Sequence, residues 1–119
     1  MSKYHSKKIT VGGETFDSKK EHRRWLELKM LEKAGNISDL RRQVKFVLVP
    51  EIREEPLQGP RGGVKPGKLL ERPVCYVADF TYYRYGQLVV EDAKGVRTDA
   101  YKIKRKLMLY VHGIRILET

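Results

Sequence analysis

Asp79, Asp92 and Lys94 are the residues of this 119-residue chain whose type and spacing point to chemistry. Asp79 stands among Val77, Ala78, Phe80 and Thr81, where an ionised carboxylate is costly to bury unless something compensates it. A cation is one compensator; a cap or an ion pair with one of the 25 basic residues is the ordinary one. Asp92 and Lys94 lie in the run Val89-Val90-Glu91-Asp92-Ala93-Lys94-Gly95. Strand side chains alternate, so Val90, Asp92 and Lys94 share one face while Val89, Glu91 and Ala93 share the other. A carboxylate and an ammonium on one face can hold a divalent cation and orient a water beside it.

An acid followed two residues later by lysine is not special in itself. It also occurs at Asp17/Lys19 and Glu27/Lys29, and chance pairing in so charged a chain supplies about two. Context separates the three, because only Asp92/Lys94 lies on a strand; on a helix, residues i and i+2 diverge. Glu21 is a third acid of interest. It precedes Trp25 by one helical turn and Leu28 by two, which sets it on the stripe that packs inward near the helix start.

The elements that must position these groups follow from periodicity. Trp25, Leu28 and Leu31, widened by Leu26 and Met30, predict a helix over 18–34 that stops at Gly35-Asn36. A β-rich run ended by Pro50 predicts a strand over 42–49. Pro73 opens a second run that Tyr85-Gly86 turns into a third, 87–92, as a hairpin; Asp79 and Asp92 then lie on neighbouring strands and can converge. Ala100, Ile103, Leu107, Tyr110 and Val111, with Thr98 as N-cap and Gly113 as stop, predict a helix over 98–112. Residues 114–117 read as a last short strand. Residues 1–17, with Gly12-Gly13, read as a hairpin or an arm. Residues 51–72 hold four of the ten glycines and three of the five prolines and read as a long flexible loop. The expected fold class is α/β, a single domain with a mixed β-sheet flanked by helices in the order α-β-β-β-α-β.

Charge narrows the partner. A surplus of +10 at pI 9.8 favours a polyanion, because neutralising phosphates releases condensed counterions. Apolar runs such as Phe46 to Val49 are short, none longer than five residues, which argues against a membrane. The basic N-terminus precedes no apolar stretch, so no secretory signal is expected, and a single cysteine, Cys75, suits a reducing compartment, here the cytoplasm. His5, His22 and His112 lack metal-ligand spacing, which disfavours zinc. On the second helix Lys102, Arg105 and Lys106, flanked by Lys104, fall away from the apolar stripe, and Arg97 precedes it; these are candidate phosphate contacts, although most charged faces are merely solvated. The 51–72 segment carries Arg53, Arg61, Lys65, Lys68 and Arg72 beside four glutamates, and reads equally as a wrap around a DNA strand or junction arm or as an unselective linker.

A glutamate on the first helix, Asp79 on one strand, Asp92-Ala93-Lys94 on the next and a lysine-rich helix after them together resemble the PD-(D/E)XK nuclease superfamily, whose fold is a small restriction-endonuclease-like core. The chain is similar, closer still, to a phage and prophage family catalogued as a domain of unknown function. Segments carrying that likeness are Phe16-Asp17-Ser18-Lys19-Lys20-Glu21, Gly35-Asn36-Ile37-Ser38-Asp39-Leu40, Gln43, Ala78-Asp79-Phe80, Val90 through Gly95 and Thr98 through Leu107. It covers most of the chain except 51–72. The resemblance implies Asp79 and Asp92 as metal ligands, joined by Glu21 and the Ala93 carbonyl. It implies Lys94 as the group that positions or activates the attacking water and Gln43 as a site or phosphate contact; Tyr101 follows Lys94 closely enough to border the site and is a further candidate DNA contact. The proline that gives the superfamily its name is replaced by Ala78. The implied activity is Mg²⁺-dependent (Mn²⁺ substituting) DNA endonuclease action on branched or structured DNA, as in a Holliday-junction resolvase, in phage recombination or replication within a bacterial host. Symmetric cutting of two strands would suit a homodimer. Two other readings stand beside it: a non-catalytic nucleic-acid binder in which Asp79, Asp92 and Lys94 form a structural ion network, and a ribonuclease or RNA binder.

Overall fold

Gly12 and Gly13 have φ of +59° and +83°, the left-handed pair that a two-residue hairpin turn demands and that glycine adopts without steric cost. They join β1 (Ile9–Val11) to β2 (Glu14–Phe16), so the N-terminal segment is a hairpin. These features come from a computed structural model that describes residues 8–93 and 96–119. Helix α1 (Lys19–Lys33) starts at the N-cap Ser18, whose hydroxyl accepts the Glu21 N–H at 3.1 Å. It ends as Gly35 turns left-handed at φ +82°. Expected and observed limits agree because both ends carry local signals.

Strands β3 (Ser38–Val49), β8 (Val74–Arg84), β9 (Gln87–Asp92) and β10 (Leu117–Glu118) form a four-stranded sheet in the order β10-β9-β8-β3. The first three are antiparallel neighbours and β10 runs parallel to β9, so the sheet is mixed. Tyr85 and Gly86, at φ +51° and +74°, make the tight turn between β8 and β9. Helix α1 covers one face through Leu28, with Ile37, Phe80, Tyr82 and Ala93 buried against it. Helix α2 (Asp99–His112) covers the other through Tyr101 and Met108, packed on Leu48, Tyr76, Ala78, Val90 and Ile116. Burying each such side chain contributes about 1.5–3 kcal/mol, so both helices are held by packing rather than by propensity.

Five expectations change. Leu26 and Met30 do not widen the α1 stripe: both are exposed, since they lie off the Glu21-Trp25-Leu28 line that meets the sheet. On α2 the inward face is Tyr101 and Met108, with Leu107 at its margin, while Ala100, Ile103, Tyr110 and Val111 are exposed. Thr98 accepts the Tyr101 N–H and Tyr101 Oη donates to Glu118, which sets the phase of the helix from its first turn. The segment read as a structureless loop is instead two stacked ribbons: β4 (Ile52–Arg53) pairs with β7 (Leu69–Glu71), and beyond them β5 (Leu57–Gln58) pairs with β6 (Val64–Lys65). Its glycines and prolines shape bends within a β-arm that continues the β3–β8 hairpin. Strand β3 also begins four residues before the predicted 42, and the last strand is Leu117–Glu118 rather than 114–117, whose Ile114 and Ile116 pack into the α2-side core.

Candidate functional site

Strict alternation along β8 would put Ala78 and Phe80 on one face, yet Ala78 joins the α2-side core and Phe80 the α1-side core. The strand therefore changes face at Asp79. Its cross-strand neighbours Arg42↔Phe80 and Val44↔Ala78 bracket Gln43, which has a φ of +52° that a non-glycine residue rarely adopts. Both strands depart from regular geometry at this point while the register carries through it, and Asp79 sits there, 7% exposed.

From the α1 side, Glu21 reaches this point. It is 2% exposed; its Oε1 accepts from Gln43 Nε2 at 3.1 Å and from Arg42 Nη2 at 3.4 Å, and its Oε2 accepts the Asp17 N–H at 2.9 Å. Ser18 and Glu21 stand at the Ser-x-x-Glu spacing of a capping box, but Glu21 reaches back to the Asp17 N–H, one residue before the cap, which gives it a structural duty as well. Each carboxylate oxygen has two lone pairs, so these donors leave capacity for a cation. Asp17, immediately before the helix cap, completes the group: one oxygen from each of Asp17, Glu21 and Asp79 lies within 4.8 Å of the others.

On its other side Asp79 meets Asp92. Its carboxyl is pushed up from 3.8 to about 8, first by burial, then by the charge of Asp92 and a hydrogen bond with it, then by Glu21; the Ala93 N–H, donating to Asp79 Oδ2 at 2.9 Å, opposes the shift. Asp92, fully buried, accepts from Tyr76 Oη at 2.5 Å. Burial and that carboxylate together hold the Tyr76 hydroxyl far above its ordinary range. Glu91 points to the α1 face, as alternation requires, where Arg24 grips it through Nε at 2.6 Å and Nη2 at 3.0 Å and Tyr82 Oη donates at 2.7 Å.

Of the residues expected at the site, Glu21, Asp79 and Asp92 are brought together around Asp79, although Asp92 is not of the group within 4.8 Å. What is seen of Ala93 at the site is its N–H rather than its carbonyl. Gln43 orients Glu21. Lys94 lies outside the described residues. Arg97, Tyr101 and Arg105 all converge on Glu118 of β10, at 2.9, 2.7 and 3.1 Å. The charge of that carboxylate is thereby matched, and these three hold β10 to α2. Lys102 and Lys106 stay exposed, and together with Arg105 and Arg115 they line an open hollow of about 630 Å³ beside Ile103, Leu109 and Ile116.

Sequence reasoning missed Asp17 and Arg42. Asp17 stood in the quoted Phe16–Glu21 segment beside a recognisable cap. Arg42 carried no local signal: its guanidinium lies 3.9 Å over the Phe16 ring while reaching the Thr15 carbonyl and Glu21, and only the packing of β2 and α1 on β3 makes that place.

Hard oxygen donors are what Mg²⁺ and Mn²⁺ prefer. Three carboxylates at one point, one of them kept protonated first by burial and then by a fourth acid beside it, form a donor set that a divalent cation would relieve. Among the described residues no helix is long and apolar enough to cross a membrane. No curated protein and no solved structure gives a match to this chain. A family model described as "Protein of unknown function (DUF1064)" matches residues 1–115, and the chain belongs to that family.

Proposed function

We propose that the protein is a divalent-metal-dependent DNA endonuclease of the PD-(D/E)XK type, with branched or structured DNA as its substrate class. The observation that carries this is the meeting of Asp17, Glu21 and Asp79 within 4.8 Å of one another at the point where β8 changes face. Asp17, Glu21 and Asp79 hold the cation, Mg²⁺ or Mn²⁺, and Asp92 bears on it through Asp79. Such a cation supplies Lewis-acid stabilisation of charge developing on phosphoryl oxygens. Gln43 and Arg42 fix the Glu21 carboxylate, and the Ala93 N–H and Asp92 fix that of Asp79. Lys94 keeps the role that the resemblance gives it, positioning the attacking water. The net charge of +10 draws the substrate.

The test is cleavage of a DNA panel that includes four-way junctions, with and without Mg²⁺ or Mn²⁺. Metal-dependent cutting by the native chain, lost in Asp79→Asn and Asp92→Asn while DNA binding persists, is the expected result. Nicking that survives in both variants would end the assignment.

One observation favours a second reading, a nucleic-acid binder whose acids are structural: both Glu21 oxygens already accept hydrogen bonds, one of them within the helix cap. Under that reading Mg²⁺ leaves the melting temperature unchanged and no DNA is cut.

A further inference from the structure

We infer that residues 50–73 form a DNA clamp, a β-arm whose tip enters a groove of the duplex that is presented to the acid cluster. The inference rests on the reading of the partner as DNA and adds to it the element that grips. From residue 50 to residue 74 every residue is exposed except Gly59 and Gly67, and the four arm strands pair only with one another. A Cα radius of gyration of 18.7 Å, against about 13.5 Å for a compact chain of this length, agrees with segments standing off the body.

The arm has a built shape. A Cβ on Gly67 would lie 2.0 Å from the Glu54 carbonyl oxygen, so only glycine lets the two sides cross there. Arg53 Nη1 donates to the Gly67 carbonyl at 3.0 Å, and the Glu54 N–H to that of Lys68 at 2.9 Å, which locks the crossing. Gly62, at φ +80°, turns the tip.

Charge is sorted along this shape. The acids Glu51, Glu54, Glu55 and Glu71 sit at the root, whereas the stretch from Pro56 to Leu70 contains none and carries Arg61, Lys65 and Lys68. Exposed Leu57 and Val64 flank them on a two-stranded ribbon, a form marginal in water without a partner. An acid-free, cationic ribbon matches a polyanion, and its width matches the B-DNA major groove, which admits a two-stranded ribbon; the deep, narrow groove of A-form RNA does not. Val49 at the arm's root lies six positions along β3 from Gln43, about 20 Å at 3.3 Å per residue. One duplex therefore spans both.

The experiment measures binding of a duplex of about 30 base pairs, as DNA and as RNA, by fluorescence anisotropy over a salt series. It compares the native chain with R61A/K65A/K68A and records the Mg²⁺-induced rise in melting temperature for both. The triple variant is expected to lose at least about tenfold in DNA affinity and about 2–3 in the salt slope, at roughly 0.9 per phosphate contact. It should also lose the preference for DNA over RNA and keep the Mg²⁺ response. Unchanged affinity and slope in the variant overturn the clamp and leave the nuclease reading standing. Equal losses on RNA and DNA overturn groove entry. A dimer in sedimentation that the triple variant dissolves assigns the arm to a second copy and overturns the clamp. A native chain that binds no duplex at all overturns the DNA reading, and the clamp with it.

Discussion

Glu91 and Asp92 are consecutive and both fully buried, but their surroundings are opposite. Glu91 faces α1 and meets a two-pronged guanidinium, a tyrosine hydroxyl and the Thr119 hydroxyl. Asp92 faces the α2 side and meets Tyr76 and another acid, Asp79. The first arrangement neutralises a charge and ties β9 to α1 and to the last residue of the chain. The second gathers negative charge and keeps a proton to contain it. A buried acid matched by arginine is architecture. A buried acid whose neighbour is a second acid, where the strand changes face, is where chemistry is to be sought.

The largest effect that would test this contrast is on cleavage. Asp79→Asn is expected to reduce Mg²⁺-dependent nicking by about a hundredfold, the upper end of what metal sites lose with a supporting group, with far-UV circular dichroism unchanged. Glu91→Gln should do the reverse. It removes the buried charge that Arg24 grips, leaving Arg24 its pair with the exposed Glu27, and is expected to cost about 2–3 kcal/mol in urea unfolding. That is below the 3–5 kcal/mol of a fully enclosed pair, because Arg24 keeps 23% side-chain exposure. Per folded molecule, its cleavage should stay near native.

Protons sharpen the contrast further. The Asp79 carboxyl keeps its proton to about pH 8 in the fold and loses it near 3.8 when unfolded. Between those values the unfolded chain binds fewer protons, so metal-free stability falls as pH rises from about 4 to about 8 and then levels. A cation must displace that proton, so the Mg²⁺-induced rise in melting temperature should grow across the same window, and Asp79→Asn should flatten both trends in pH-resolved thermal melts.

Smallest is the helix cap. Ser18→Ala is expected to cost about 1 kcal/mol with little change in cleavage, whereas Glu21→Gln should cost about as much stability and reduce cleavage at least about tenfold. Equal, purely thermodynamic effects of the two in parallel melts and nicking assays would make Glu21 a capping residue and nothing more.

Much of the frame was legible before any coordinates. Ser18 and Gly35 bound α1 because capping is local, Tyr85-Gly86 turns the hairpin because the turn needs left-handed backbone, and period-two alternation assigned Glu91 and Asp92 to opposite faces. What periodicity could not reach was where a pattern breaks. The change of face at Asp79 and the left-handed Gln43 interrupt two strands at once, and an interruption leaves no repeating signal.

The sequence by itself determined the mixed α/β order, the limits of both helices, the basic surplus, and the nearness of Asp79 to Asp92 across one hairpin. Only the tertiary structure decided that Asp17 joins the acids, that Arg97, Tyr101 and Arg105 are drawn to Glu118, that α2 turns Tyr101 and Met108 inward, and that 51–72 is an arm. The division follows range. Caps, turns and periods are set by residues a few positions apart, while the partner of a charge is set by whichever distant segment packing brings within hydrogen-bond reach.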